Sequence, residues 1–139
     1  MSEEMTEDRA CIVYFEMGQW PLQVGFTMDP KAYDAELERI RVHPDVRPEF
    51  PSNEAHASFF PHPEGGELTC IVAMASDLDR TDPEVIGLIA HECMHIVQEL
   101  WKFIGETNPG DETEAYLLGY LVQLCVSCPL PPPPSEVTP

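Results

Sequence analysis

His91 and His95 stand four residues apart with Glu92 directly after the first, in the run His91-Glu92-Cys93-Met94-His95. On a helix, residues four apart project from adjacent turns of one face, so the two imidazoles can grip a single ion. Neutral imidazole nitrogen suits zinc at roughly 2 Å. Glu92 is rotated away from the pair. It need not ligate, and can accept the proton of a water held on the open side of the metal. That chemistry is metal-assisted hydrolysis, with His91 and His95 as ligands and Glu92 as general base.

A catalytic zinc needs a third protein ligand and one open position. The acids downstream are Glu99, Glu106, Asp111, Glu112 and Glu114. Glu99 follows on the same helix and would have to bend back along it. Asn108-Pro109-Gly110-Asp111 reads as the start of a second helix, with Asn108 as cap and Pro109 in first position. Counted from there, Glu114 heads a face continued by Leu117, Leu118, Leu121 and Cys125. A carboxylate in that setting needs a partner, and a cation supplies one. If Asp111 is the cap instead, Glu114 becomes the reciprocal acid of a capping box and needs no metal. Glu112, which shares its face with Ala115, Tyr116, Gly119 and Gln123, is the alternative ligand.

His91-Glu92-x-x-His95, eighteen further residues and then Glu114 resemble the gluzincin group of zinc metallopeptidases, over about the second half of the chain. The resemblance implies a metal held by His91, His95 and Glu114, with Glu92 as general base. It also implies that a preceding strand, here Leu68–Ala75, is the edge on which an extended peptide substrate lies. Many gluzincins carry an aspartate four residues after the ligand glutamate, where this chain has Leu118. Support for a ligand histidine then falls to Asp77, Asp79 or a backbone carbonyl. Tyr116, Tyr120, His56 and His62 are the candidates for stabilising an oxyanion.

The elements that must position these residues are legible from periodicity. Residues 11–15 and the alternating run Leu22–Met28 read as two strands of a hairpin. Asp29-Pro30 opens a short helix with Tyr33, Leu37 and Ile40 on one stripe. Prolines 44, 48 and 51 make residues 43–52 a loop. Ala55–Phe60 and Leu68–Ala75 read as further strands, joined by a turn at 61–66. Two helices follow, over 82–102 and 109–125. The first is opened by a capping box of Thr81 and Glu84. Its apolar side carries Val85, Ile86, Ile89, Cys93, Ile96, Val97 and Leu100, and its outward side carries His91, Glu92 and His95. The order predicts an α+β fold: a small antiparallel or mixed sheet with one early helix, packed on the motif helix and a second C-terminal helix. Residues 11–128 form one domain, flanked by an acidic tail, 1–10, and a proline-rich tail, 129–139.

Composition narrows the partners. Seven basic against twenty-five acidic side chains give a formal charge of −18, which repels nucleic acid and anionic membranes; its first reading is solubility, and its second is a basic peptide or protein as substrate or partner. No apolar run is long enough for a membrane span and none has the form of a signal peptide, so a cytoplasmic product is expected. Five cysteines without regular spacing fit a reducing compartment. Cys125-x-x-Cys128 lacks the second pair of a zinc ribbon and reads as two end-of-helix residues.

The expected function is therefore zinc-dependent hydrolysis of peptide bonds, with one zinc per chain. The alternative is a zincin-like scaffold that binds zinc and a partner without cutting it. A fourth protein ligand, from His43, His56 or Cys93, would mark that alternative. A third reading, an acidic decoy that blocks a basic partner, fits poorly because the acids are spread along the chain.

Overall fold

The computed structural model describes residues 12–61 and 65–130. The expected acidic tail, Cys11, His62 in the turn at 61–66, and residues 131–139 lie outside them. Four strands, β1 (Val13–Glu16), β2 (Leu22–Thr27), β3 (Ala55–Pro61) and β4 (Leu68–Met74), form one mixed sheet in the order β1-β2-β4-β3. With them stand three helices, α1 (Pro30–Arg39), α2 (Pro83–Ile104) and α3 (Asp111–Ser127), so the fold is α+β. No described helix is long and apolar enough to cross a membrane.

The β1–β2 hairpin forms as its alternation predicts, with Val13 opposite Phe26 and Glu16 opposite Gln23. The chain then crosses over through α1, so that β4 joins β2 in parallel, Leu22 beside Leu68. Asp29 caps α1 by accepting from the Lys31 N–H, with Pro30 just inside. Prolines keep 43–52 irregular except for one 3-10 turn, Pro44–Val46, where Pro44 stands at the tolerated first position.

Helices on both faces leave β4 buried along its whole length. Cys70, Val72 and Met74 face α2 and α3 with Val85, Ile89, Ile96 and Leu121, whereas Ile71 and Ala73 face α1 with Tyr33 and Leu37. That accounts for a strand that reads as a continuous apolar run. On the α1 side, Tyr14 donates its hydroxyl to Glu36 Oε2 at 2.7 Å. Burial and this bond push its pKa far above the ordinary phenol range. Gly25 lies under these side chains: a Cβ there would stand 2.6 Å from Ile12 Cγ2.

Three local expectations are corrected. The edge strand beside the motif helix is β3, not Leu68–Ala75, because β4 is paired on both sides. The cap of α2 is Asp82, accepting from the Glu84 N–H; Thr81 instead gives its N–H and hydroxyl to Asp79. α3 starts later than Asn108-Pro109, with Gly110 as a cap that offers no side-chain bond and Asp111 as first residue.

Candidate metal centre

α2 holds the motif in a rigid register. Val85, Ile89, Cys93, Ile96, Val97 and Leu100 are buried as a stripe against the sheet and α3, and the helix stops at Gly105, which is left-handed at φ 76°. His91 and His95 lie on the opposite face and are exposed. Their Nε2 atoms are 3.2 Å apart, with ring planes nearly perpendicular and centroids 4.8 Å apart. Two nitrogens each about 2.05 Å from one tetrahedral ion stand about 3.3 Å from each other. The pair is therefore set at the spacing that a shared zinc requires. Without an ion, the same spacing allows one imidazole N–H to donate to the other ring.

Glu92 departs from the expected outward position. It is only 9% exposed, because about 100° of rotation from His91 turns it toward the sheet margin where β3 runs. Its Oε1 accepts the Ala57 backbone N–H at 2.8 Å, and its Oε2 lies 3.9 Å from His91 Nε2. The carboxylate thus bridges from the strand to the histidine pair. Its bond also fixes the parity of β3. The Ala57 N–H points away from β4, while the Glu54 carbonyl accepts from Ala75 on the β4 side. Backbone groups of Ala55, Ala57 and Phe59 therefore form the outer edge, and no described strand pairs there.

Glu114 is not brought to the histidines. Its Oε2 accepts the Trp101 indole N–H at 3.1 Å, and Trp101 lies six residues past His95, about 9 Å farther along the helix. A half-buried carboxylate at the head of an apolar face does have a partner, as its setting demands, but that partner is an indole. Glu112 is exposed on α3. Glu99 pairs with Lys102 on its own helix. Among the described residues, no three His, Cys, Asp or Glu side chains converge in a metal-binding group. His91 and His95 thus fit two positions of a zinc shell, and Glu114 does not fit the third.

The candidates for further roles are also held elsewhere. His43 Nδ1 accepts from the Asp45 N–H. His56 bonds the Glu49 carbonyl and packs its ring against Tyr33 on the α1 side. Cys93, inside the motif, is fully buried with its Sγ 4.0 Å from that of Cys125. The shared hydrogen bond and burial push its pKa far up, and burial pushes up that of Cys70. These thiols belong to the core. Tyr116 and Tyr120 are exposed on α3, and Asp79 is tied to Thr81.

Reasoning from sequence missed the outer edge of β3 and its bond to Glu92. The small residues at 55 and 57 were the signal for close approach of a helix. The strand order that makes β3 the edge depends on pairing across the whole domain.

No family model, no curated protein and no solved structure matches this chain.

Proposed function

We propose that this protein is a zinc-dependent hydrolase of peptide bonds, with a histidine pair and a glutamate that resemble those of the gluzincin metallopeptidases. The observation that carries the reading is the Glu92 carboxylate, poised between the outer edge of β3 and a histidine pair at metal-sharing distance. His91 and His95 would hold the zinc through Nε2. When bound, the metal supplies Lewis-acid polarisation and lowers the pKa of water.

The chain's own groups do the rest. An extended peptide adds to β3 by pairing with the outward N–H and C=O groups of Ala55, Ala57 and Phe59. This sets a substrate carbonyl beside Glu92 and above the histidines. A carbonyl that takes over the Ala57 N–H releases Oε1, and Glu92 then accepts a proton from the attacking water. The water oxygen bonds to the carbonyl carbon, the C–N bond breaks, and the proton passes from Glu92 to the leaving amine. The charge of −18 favours basic peptides. The four described cysteines are free thiols, which supports a reducing, cytoplasmic setting.

A second reading, a zinc-binding scaffold that holds a peptide on β3 without cutting it, is favoured by one observation. Glu92 already accepts the Ala57 N–H, a structural tie between β3 and α2 that needs no catalysis to account for it.

The test pairs metal content with turnover. Elemental analysis of wild type, His91→Ala and His95→Ala should find about one zinc per chain in the first and little in the variants. A mixed, lysine-rich peptide library followed by mass spectrometry should show cleavage that disappears in Glu92→Gln while zinc is retained. Zinc without cleavage would establish the scaffold reading. A folded wild type that takes up no zinc, even when zinc is offered, would overturn both.

A further inference from the structure

We propose that the groove between α3 and the turn joining β1 to β2 is a polyproline-binding site, occupied by the chain's own Pro131-Pro132-Pro133-Pro134. The groove encloses ≈ 360 Å³ and is lined by Met17, Trp20, Thr113, Tyr116, Leu117 and Tyr120. It lies at the head of α3, away from the histidine pair, and the inference does not depend on the metal reading.

Its floor is rigid. Trp20 stands edge-on to Trp101 with ring centroids 5.3 Å apart, and Glu114 fixes the Trp101 indole. Its rim is aromatic and open, with Tyr116 76% and Tyr120 49% exposed. None of these lining side chains is charged, in a chain of net charge −18. An uncharged, aromatic groove suits a ligand that brings apolar rings and bare carbonyls. Polyproline is such a ligand: it has no internal hydrogen bonds, so its carbonyls are free to accept, and its extended form is already low in entropy. Tyrosine hydroxyls at the rim are the matching donors, and their rings the matching stacking faces.

Chain geometry names the occupant. Tyr116, Tyr120, Gln123 and Ser127 follow one another at spacings of four, three and four residues, and all are exposed. They form one stripe leading from the groove to the C-terminal end of α3. Cys128 leaves the helix at φ −59°, ψ 124°, close to polyproline geometry. Tyr120 lies eight residues back from Cys128, about 12 Å along the axis. A reversal at Pro129-Leu130 would turn the chain back along α3, and four prolines in polyproline form would cover about 12 Å at roughly 3.1 Å each. That length is enough to reach Tyr120. The segment carries no charge from Pro129 to Ser135, so the acidic body does not repel it.

NMR on the full chain tests this. Wild type is compared with a full-length variant in which Pro131 to Pro134 are replaced by alternating Gly and Ser, reading the Trp20 indole and the Tyr116 and Tyr120 ring resonances. These should shift between the two proteins and hold their positions in wild type over a tenfold dilution. A synthetic Pro-Leu-Pro-Pro-Pro-Pro peptide added to the variant should move them back toward wild type. Tyr120→Ala should remove the difference. Coincident spectra would overturn the proposal. Coincident spectra with a response to the peptide would also overturn it, making the groove a site for another protein's proline segment. Shifts that fade on dilution would overturn the intrachain occupant in favour of a second copy.

Discussion

Replacing Glu92 by leucine and by glutamine separates the base role proposed for this carboxylate from the strap that the structure gives it. As a base it must ionise, and neither variant can do so. As a strap it need only accept the Ala57 N–H, and glutamine still can. Leucine leaves that N–H without its partner. An unpaired buried donor costs about 1–3 kcal/mol. Ala57 is half-buried, so water recovers part of this and the lower half of the range applies. Glu92→Leu should then be about 1–2 kcal/mol less stable than Glu92→Gln, a fall of several degrees in Tm for a domain of this size. Urea unfolding with a chelator present measures the difference free of metal linkage. Amide exchange at Ala57 should quicken in the leucine variant alone. Equal stability, or a more stable leucine variant, would refute the claim that Glu92 ties β3 to α2.

Two further outcomes follow from contacts outside the motif. Glu114→Gln should leave zinc uptake unchanged, because Glu114 serves the Trp101 indole, and should lower stability by about 1 kcal/mol or less; calorimetric zinc titration checks the first part, and lost binding would restore Glu114 as a ligand. Tyr14 has its pKa raised in the fold by burial and by the bond to Glu36, so the stability it contributes is complete below the unfolded value near 10 and declines as pH rises beyond it. Between pH 9 and pH 11 wild type should lose about 1 kcal/mol more than Tyr14→Phe in parallel urea titrations, and parallel losses would refute the assignment.

Periodicity carried what is local. The α2 register, the outward histidines and the Asp29-Pro30 start of α1 follow from residues within a turn or two of one another. The burial of Glu92 does not, because its position at the margin of the apolar stripe leaves it to the neighbouring element to cover or expose it. That element is β3, which is an edge only because β4 crosses over to pair with β2. The same limit applies to Glu114. Its apolar face correctly demanded a partner, yet the choice between a cation and an indole rests on how α3 lies against the end of α2. Capping was misplaced by one residue at α2 because Thr81, Asp82 and Asp79 all offer side-chain oxygens, and the Asp79–Thr81 bonds remove Thr81 from the contest.

Cys70, Cys93 and Cys125 are sealed between the sheet, α2 and α3, and this makes them a native clock for the motif helix. An alkylating reagent reaches Cys93 only when α2 lifts from its neighbours, so its labelling rate counts openings of the element that carries His91 and His95. If those histidines hold zinc as proposed, the ion would close such openings by mass action and slow labelling as the site fills. Metal binding can thus be followed by mass spectrometry on an unmodified chain, through a thiol that never touches the ion.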